Sequence, residues 1–134
     1  MQTHGIHHLG VAVPDLEEAL ETYSRLFGAE LIHRDTVADQ GVEAAAVQLG
    51  SGRLELLSAL GPETYVGRFL ARRGPGMHHV AYEVADVRTA LADLVEEGVE
   101  IIDDEPREGL FGLEVAFVHP SAIHGVLTEL VAGG

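Results

Sequence analysis

From Ile6 to Val13 apolar and polar positions alternate along the chain, the period of two that belongs to a strand with one covered face. The alternation stops at Pro14. Asp15 with Glu18 then gives a capping-box-like start to a run in which Leu16, Ala19, Leu20, Tyr23 and Phe27 fall at helical spacing, with Gly28 as the stop. Residues 30–37, 42–49 and 53–59 return to strand pattern, separated by Ala38-Asp39-Gln40-Gly41 and by Gly50-Ser51-Gly52. Tyr65 to Arg73 reads as a short helix closed by Gly74-Pro75-Gly76. A second series follows: a strand at 79–84, a helix opened by Asp86 and carrying Val87, Ala90, Leu91, Leu94 and Val95, then strands near 99–103, 113–118 and 126–131.

The two series are copies of one another. His8-Leu9-Gly10-Val11-Ala12-Val13-Pro14-Asp15-Leu16 aligns with His79-Val80-Ala81-Tyr82-Glu83-Val84-Ala85-Asp86-Val87 at an offset of 71 residues. The same offset carries Ala19-Leu20 onto Ala90-Leu91 and the stretch from Gly41 to Val47 onto that from Gly112 to Val118. After one slip, Leu54-Glu55-Leu56 meets Thr128-Glu129-Leu130 at an offset of 74. Two copies are too few for a solenoid, so the expected architecture is α+β: two tandem βαβββ modules, about 5–60 and 76–132, joined by a linker helix at about 62–74 and packed as a single domain over 1–134.

Composition narrows the chemistry. At 134 residues and 46% hydrophobic, the chain has enough apolar surface for one core. It lacks cysteine, so disulfides, thiolate metal sites and cysteine nucleophiles are excluded, and a tightly held metal must use nitrogen and oxygen ligands. Eight arginines and no lysine stand against 22 acidic residues, a net charge of -14, which argues against nucleic acid or anionic membranes as partners. No apolar run has the length of a membrane span and the N-terminus has no signal-peptide pattern, so a cytoplasmic location is expected.

Strand parity selects the candidate chemistry. Leu9, Val11 and Val13 share the face that packs on the helix, which turns His8, Gly10 and Ala12 to the open face. In the second copy His79 joins Ala81 and Glu83 on that face. His7 and His78 point the other way and read as ordinary packed or surface histidines. Each copy's last strand carries one acid in an apolar run, Glu55 and Glu129, and a carboxylate on a half-buried strand is costly unless paired or metal-bound. Two histidines and two glutamates related by a pseudo-twofold make a four-ligand site for one divalent ion: His8, Glu55, His79 and Glu129. These ligands suit Co²⁺, the expected ion, with Mn²⁺, Ni²⁺ and Zn²⁺ as alternatives, and leave two positions for water or a chelating substrate.

With that ligand set the paired modules resemble the vicinal oxygen chelate (glyoxalase-like) superfamily and, within it, the methylmalonyl-CoA epimerase family, from Ile6 to Val131. The motifs that carry the likeness are the stretch from His8 to Leu16, Asp39-Gln40-Gly41-Val42-Glu43, Leu54-Glu55-Leu56-Leu57, Gly76-Met77-His78-His79-Val80-Ala81-Tyr82, Asp104-Glu105-Pro106-Arg107, His119-Pro120, and the stretch from His124 to Leu130. The resemblance implies one domain with a concave sheet around the metal, an acyl-CoA substrate, and a homodimer. It also implies an isomerase that moves the α-proton of methylmalonyl-CoA between two bases through a metal-stabilised enolate, with the base roles on Glu43 and on Glu129, the latter also a ligand. Glu114, the internal counterpart of Glu43, is given no role. Epimerases commonly carry a lysine after His-Pro, where this chain reads Ser121, so the CoA phosphates are expected at arginines, with Arg68, Arg72, Arg73 and Arg107 as candidates. Three other readings share the superfamily. A glyoxalase-I-type lyase would need a basic residue for glutathione after the first histidine, where Gly10 and Val11 stand. A metal-free binding protein would have no need of His8 and His79. A ring-cleaving dioxygenase would need more open metal positions than four protein ligands leave.

Overall fold

A computed structural model, described over Met1–Gly133, contains three α-helices and eight strands among those residues and divides into two compact units. The first unit runs from His8 to His78. It holds β1 (Gly5–Ala12, from His8 onward), α1 (Leu16–Phe27), β2 (Glu30–Val37), β3 (Val42–Leu49), β4 (Gly52–Ala59) and α2 (Tyr65–Arg73). The strand order is β2-β3-β4-β1, antiparallel except that β1 runs parallel to β4. The second unit combines Met1–His7 with the chain from His79 onward. Its elements are β5 (Gly76–Glu83), α3 (Val87–Glu96), β6 (Arg107–Glu108), β7 (Glu114–Val118) and β8 (Thr128–Ala132), in the order β5-β8-β7-β6 with β5 parallel to β8. Its N-terminal segment is tied down by the His4 N–H, which donates to the Glu83 carbonyl at 2.8 Å.

The repeat is visible in how each helix begins. Asp15 accepts the Glu18 N–H at 3.0 Å and Asp86 accepts the Thr89 N–H at 3.1 Å, so equivalent aspartates satisfy equivalent orphan donors. Each helix packs on one sheet face. Val13, Leu16, Ala45, Val47 and Leu56 form the core of the first unit with Val11, Ala19, Leu20 and Tyr23 against it. Val84, Val87, Ala90, Leu91, Ala116, Val118 and Leu130 do the same in the second. No helix among the described residues is long and apolar enough to cross a membrane.

The expected strand at 99–103 is not formed. Ile101 makes a single bridge to Val118, after which the Asp103 carboxylate accepts the Phe117 N–H at 2.8 Å and so takes the donor a neighbouring strand would use. Pro106, which has no N–H, follows, and pairing resumes only for the two residues of β6. The last strand starts at Thr128 instead of 126, behind a 3₁₀ turn over Pro120–Ile123 and a left-handed His124 (φ 54°).

Candidate metal centre

Each unit carries one histidine and one glutamate side by side. In the first, the parallel pairing of β1 with β4 sets Gly10 opposite Glu55, and His8, two residues earlier on the same face, brings Nε2 to 3.2 Å from Glu55 Oε2. In the second, Ala81 stands opposite Glu129, and His79 Nε2 lies 3.7 Å from Glu129 Oε1. The registers are the same, so the sequence repeat is also a repeat of chemistry.

Both pairs are buried: His8 is 2% exposed, Glu55 3%, His79 6% and Glu129 7%. The face that parity turns away from the helix is thus covered around His8, and open only in the sense that small residues, Gly10 and Ala12, flank it. Burial lowers the His8 pKa; the Glu55 carboxylate works against that and the Arg53 guanidinium adds to it. Burial pushes the Glu129 carboxyl up to about 8, opposed by Arg107 and assisted by Asp103. His78, on the opposite face as expected, packs edge-on against Phe69 at 5.0 Å, and burial lowers its pKa.

The structure does not bring Glu43 to this face. On β3, Ala46 stands opposite Glu55 and Ala44 opposite Leu57, whereas Glu43 stands opposite Ser58, in phase with Ala45 and Val47, on the α1 side. Its carboxylate is held there by Arg34, with Nη2 at 3.1 Å and Nε at 3.2 Å, and Arg34 also pairs with Glu17 of α1. The residue that takes the expected place is Ala44. Glu114 repeats this orientation on β7, in phase with Ala116 and Val118.

Two features of the pairs were not legible in the sequence. In the second unit Phe117 stands opposite Glu129 and meets the His79 ring edge-on at 5.6 Å, with the Arg107 guanidinium 5.6 Å from the Phe117 ring centroid and its Nε 3.3 Å from Asp103. In the first unit the equivalent of Phe117 is Ala46, and beyond it the register of β2 sets His33 opposite Ala46. That placement depends on a bulge between Leu31 and His33, which no periodicity reveals.

Comparison with known proteins supplies the context. A family model described as "Glyoxalase/Bleomycin resistance protein/Dioxygenase superfamily" matches residues 7–117. The mitochondrial methylmalonyl-CoA epimerase of Bos taurus is 40% identical over 93% of this chain and 72% of its own. The ethylmalonyl-CoA/methylmalonyl-CoA epimerase of Cereibacter sphaeroides is 36% identical over 93% of this chain and 95% of its own. Among solved structures, a variant of Streptomyces coelicolor methylmalonyl-CoA epimerase in complex with 2-nitronate-propionyl-CoA superposes with a TM-score of 0.94 at 37% identity, covering 99% of this chain and 96% of the other.

Proposed function

Since the chain belongs to the methylmalonyl-CoA epimerase family of the glyoxalase, bleomycin resistance protein and dioxygenase superfamily, we propose that it interconverts (R)- and (S)-methylmalonyl-CoA with the help of one divalent metal ion. The named members are epimerases, so the chain is an enzyme of the isomerase class, with the α+β glyoxalase-like fold. The observation that carries the finer reading is the repeated pair: a buried histidine and a buried glutamate, in one register, once in each unit.

The proposed metal site takes His8, His79 and Glu129, three buried donors of the kinds that hold a metal ion, with Glu55 beside His8 as the fourth. The donor set fits such an ion: neutral imidazole nitrogen and carboxylate oxygen with no thiolate, the hardness that suits Co²⁺, Mn²⁺, Ni²⁺ or Zn²⁺. Bound there, a divalent ion supplies Lewis acidity, offsetting the charge that develops on the thioester and carboxylate oxygens as the α-proton leaves. On this reading the Glu129 carboxylate is the base on one face of the α-carbon. Glu43, turned to α1 and clasped by Arg34, has no part in this step.

For the CoA phosphates the reading favours α2. Arg68, Arg72 and Arg73 are exposed on a helix without an acidic residue, and Arg68 lies 5.0 Å over the Tyr65 ring. Arg107 is committed to Asp103. A cytoplasmic homodimer is part of the same reading.

The test starts from one pure stereoisomer of methylmalonyl-CoA and follows the appearance of the other. The metal-loaded protein is expected to equilibrate the two, the chelated protein to stop, and added Co²⁺ to restore the rate. Metal-loaded protein that leaves the stereoisomer untouched, while consuming the hemithioacetal of methylglyoxal and glutathione, would make it a lyase instead.

A further inference from the structure

Within the second unit, strand register carries one face of the sheet outward from the proposed ligands. Ala81 and Phe117 stand opposite Glu129 from its two sides, Val131 and Arg107 stand opposite Val115, and residues two apart on a strand share a face. His79, Glu129, Phe117 and Arg107 therefore lie on one face, the one α3 does not cover. The contacts follow that order: the His79 ring meets Phe117 edge-on at 5.6 Å, and the Arg107 guanidinium lies 5.6 Å from the Phe117 ring centroid. One aromatic ring separates the cation from a proposed metal ligand.

Arg107 is the one arginine on that face among the described residues. The chain has eight arginines and no lysine, and the second unit holds only Arg88, on α3 and paired with Glu105 at 3.7 Å, besides Arg107. In the first unit the place opposite Ala44, the repeat counterpart of Val115, is taken by Asp35, so the cation belongs to one copy only. Asp103 holds Arg107 without using it up. Its Oδ1 lies 3.3 Å from Nε, while its Oδ2 accepts the Phe117 N–H at 2.8 Å, so one carboxylate fixes the guanidinium to the strand that carries Phe117. The two terminal amino groups, with four of the five N–H donors, have no second ion-pair partner among the described residues. The side chain is 45% exposed and open to a ligand. A planar fork held by an acid behind it and a ring beside it is pre-organised for a carboxylate.

We infer that Arg107 binds the substrate's carboxylate and so selects malonyl-type thioesters over neutral acyl thioesters; this rests on the epimerase reading above. Of the anionic groups of a malonyl thioester of CoA, the phosphates lie at the far end of the pantetheine arm, whereas the carboxylate adjoins the reacting carbon. A cation one ring away from a proposed ligand fits the carboxylate. That group has two oxygens, and the fork can hold one while the other stays free to chelate. Its charge also opposes the negative charge that builds up as the α-proton leaves, and a guanidinium beside it offsets that repulsion.

Titration calorimetry compares malonyl-CoA with acetyl-CoA, which differ by that carboxylate, on Co²⁺-loaded wild type and Arg107→Gln, after the Co²⁺ affinity of each has been measured. Arg107→Gln is expected to lose affinity for malonyl-CoA by roughly 10–100-fold, the weight of a hydrogen bond to a charged group. Acetyl-CoA and Co²⁺ should bind it as they bind wild type. Equal losses for the two thioesters would overturn the assignment, because the shared CoA portion would then carry the contact. Undiminished malonyl-CoA binding, or weakened Co²⁺ binding, would overturn it as well. Should Arg107→Gln not fold, Arg107→Lys, which keeps the charge and lacks the fork, is expected to show a smaller loss, again for malonyl-CoA alone. The epimerase reading fails separately, in a result that needs no variant: metal-loaded wild type that leaves both stereoisomers of methylmalonyl-CoA unconverted.

Discussion

Glu129 is the side chain on which the proposed chemistry converges, as ligand and as base, and burial displaces the pKa of its carboxyl. The sign of its pH dependence follows from that displacement. With a folded pKa of about 8 against an ordinary value of 4.5, the metal-free native protein keeps a proton that the unfolded chain has lost anywhere between those two values. Stability of the metal-free protein is therefore greatest below that window and falls as pH rises through it, by up to about 1.4 kcal/mol per pH unit. Thermal melts of chelated protein at intervals from pH 5 to pH 8 should show this fall, and Glu129→Gln should remove it. The histidines give a second expectation at this scale. His8→Gln and His79→Gln each delete a donor and should weaken Co²⁺ binding at least as much as the loss of an outer-shell partner does, about 10–100-fold, read by titration calorimetry. Equal affinity in either variant would mean that the histidine is structural. The burial of His8, Glu55, His79 and Glu129 as two histidine–glutamate pairs was readable from parity and repeat, and their role as ligands is the proposal. The facing of Glu43 was not: its alternation with Ala45 and Val47 is plain, but only the register of β3 on β4 says which face of that strand Glu55 shares.

At the scale of elements, local signals decided most boundaries. The left-handed Gly28 (φ 67°) ends α1 where the sequence placed the stop, and the aspartate caps start α1 and α3 where their side chains can reach the third residue on. Asp15→Ala and Asp86→Ala should each cost about 1 kcal/mol, measurable as parallel shifts in urea midpoint with unchanged slope. A cost at one cap only would mean that the two helices bear unequal shares of their units' stability. What local signals missed was non-local. The Asp103 side chain dissolves the expected strand at 99–103 by capturing a backbone donor from β7, and the β2 bulge exists because of how β2 meets β3. Neither leaves a periodicity to read.

For the whole molecule, duplication explains both the fold and the site. One βαβββ plan, used twice with the same parallel pairing, puts a histidine and a glutamate in the same register each time, and the copies depart from that symmetry at a few positions. Ala46 against Phe117 is the clearest departure, and it falls beside the proposed ligands. On the proposed reading the acidic sequence, at a net charge of -14, disfavours an anionic thioester, and recognition would fall to the metal and the exposed arginines of α2. The most direct measurement is proton NMR of the α-carbon of methylmalonyl-CoA in D₂O with the protein first chelated and then loaded with Co²⁺. The α-proton signal should persist with chelated protein, vanish once Co²⁺ is added, and persist again with Co²⁺, for the stereoisomer that Glu129 deprotonates, when Glu129 is replaced by glutamine. An α-proton that survives the metal-loaded wild-type protein, or that is lost equally fast after chelation, would contradict metal-assisted proton transfer at this site.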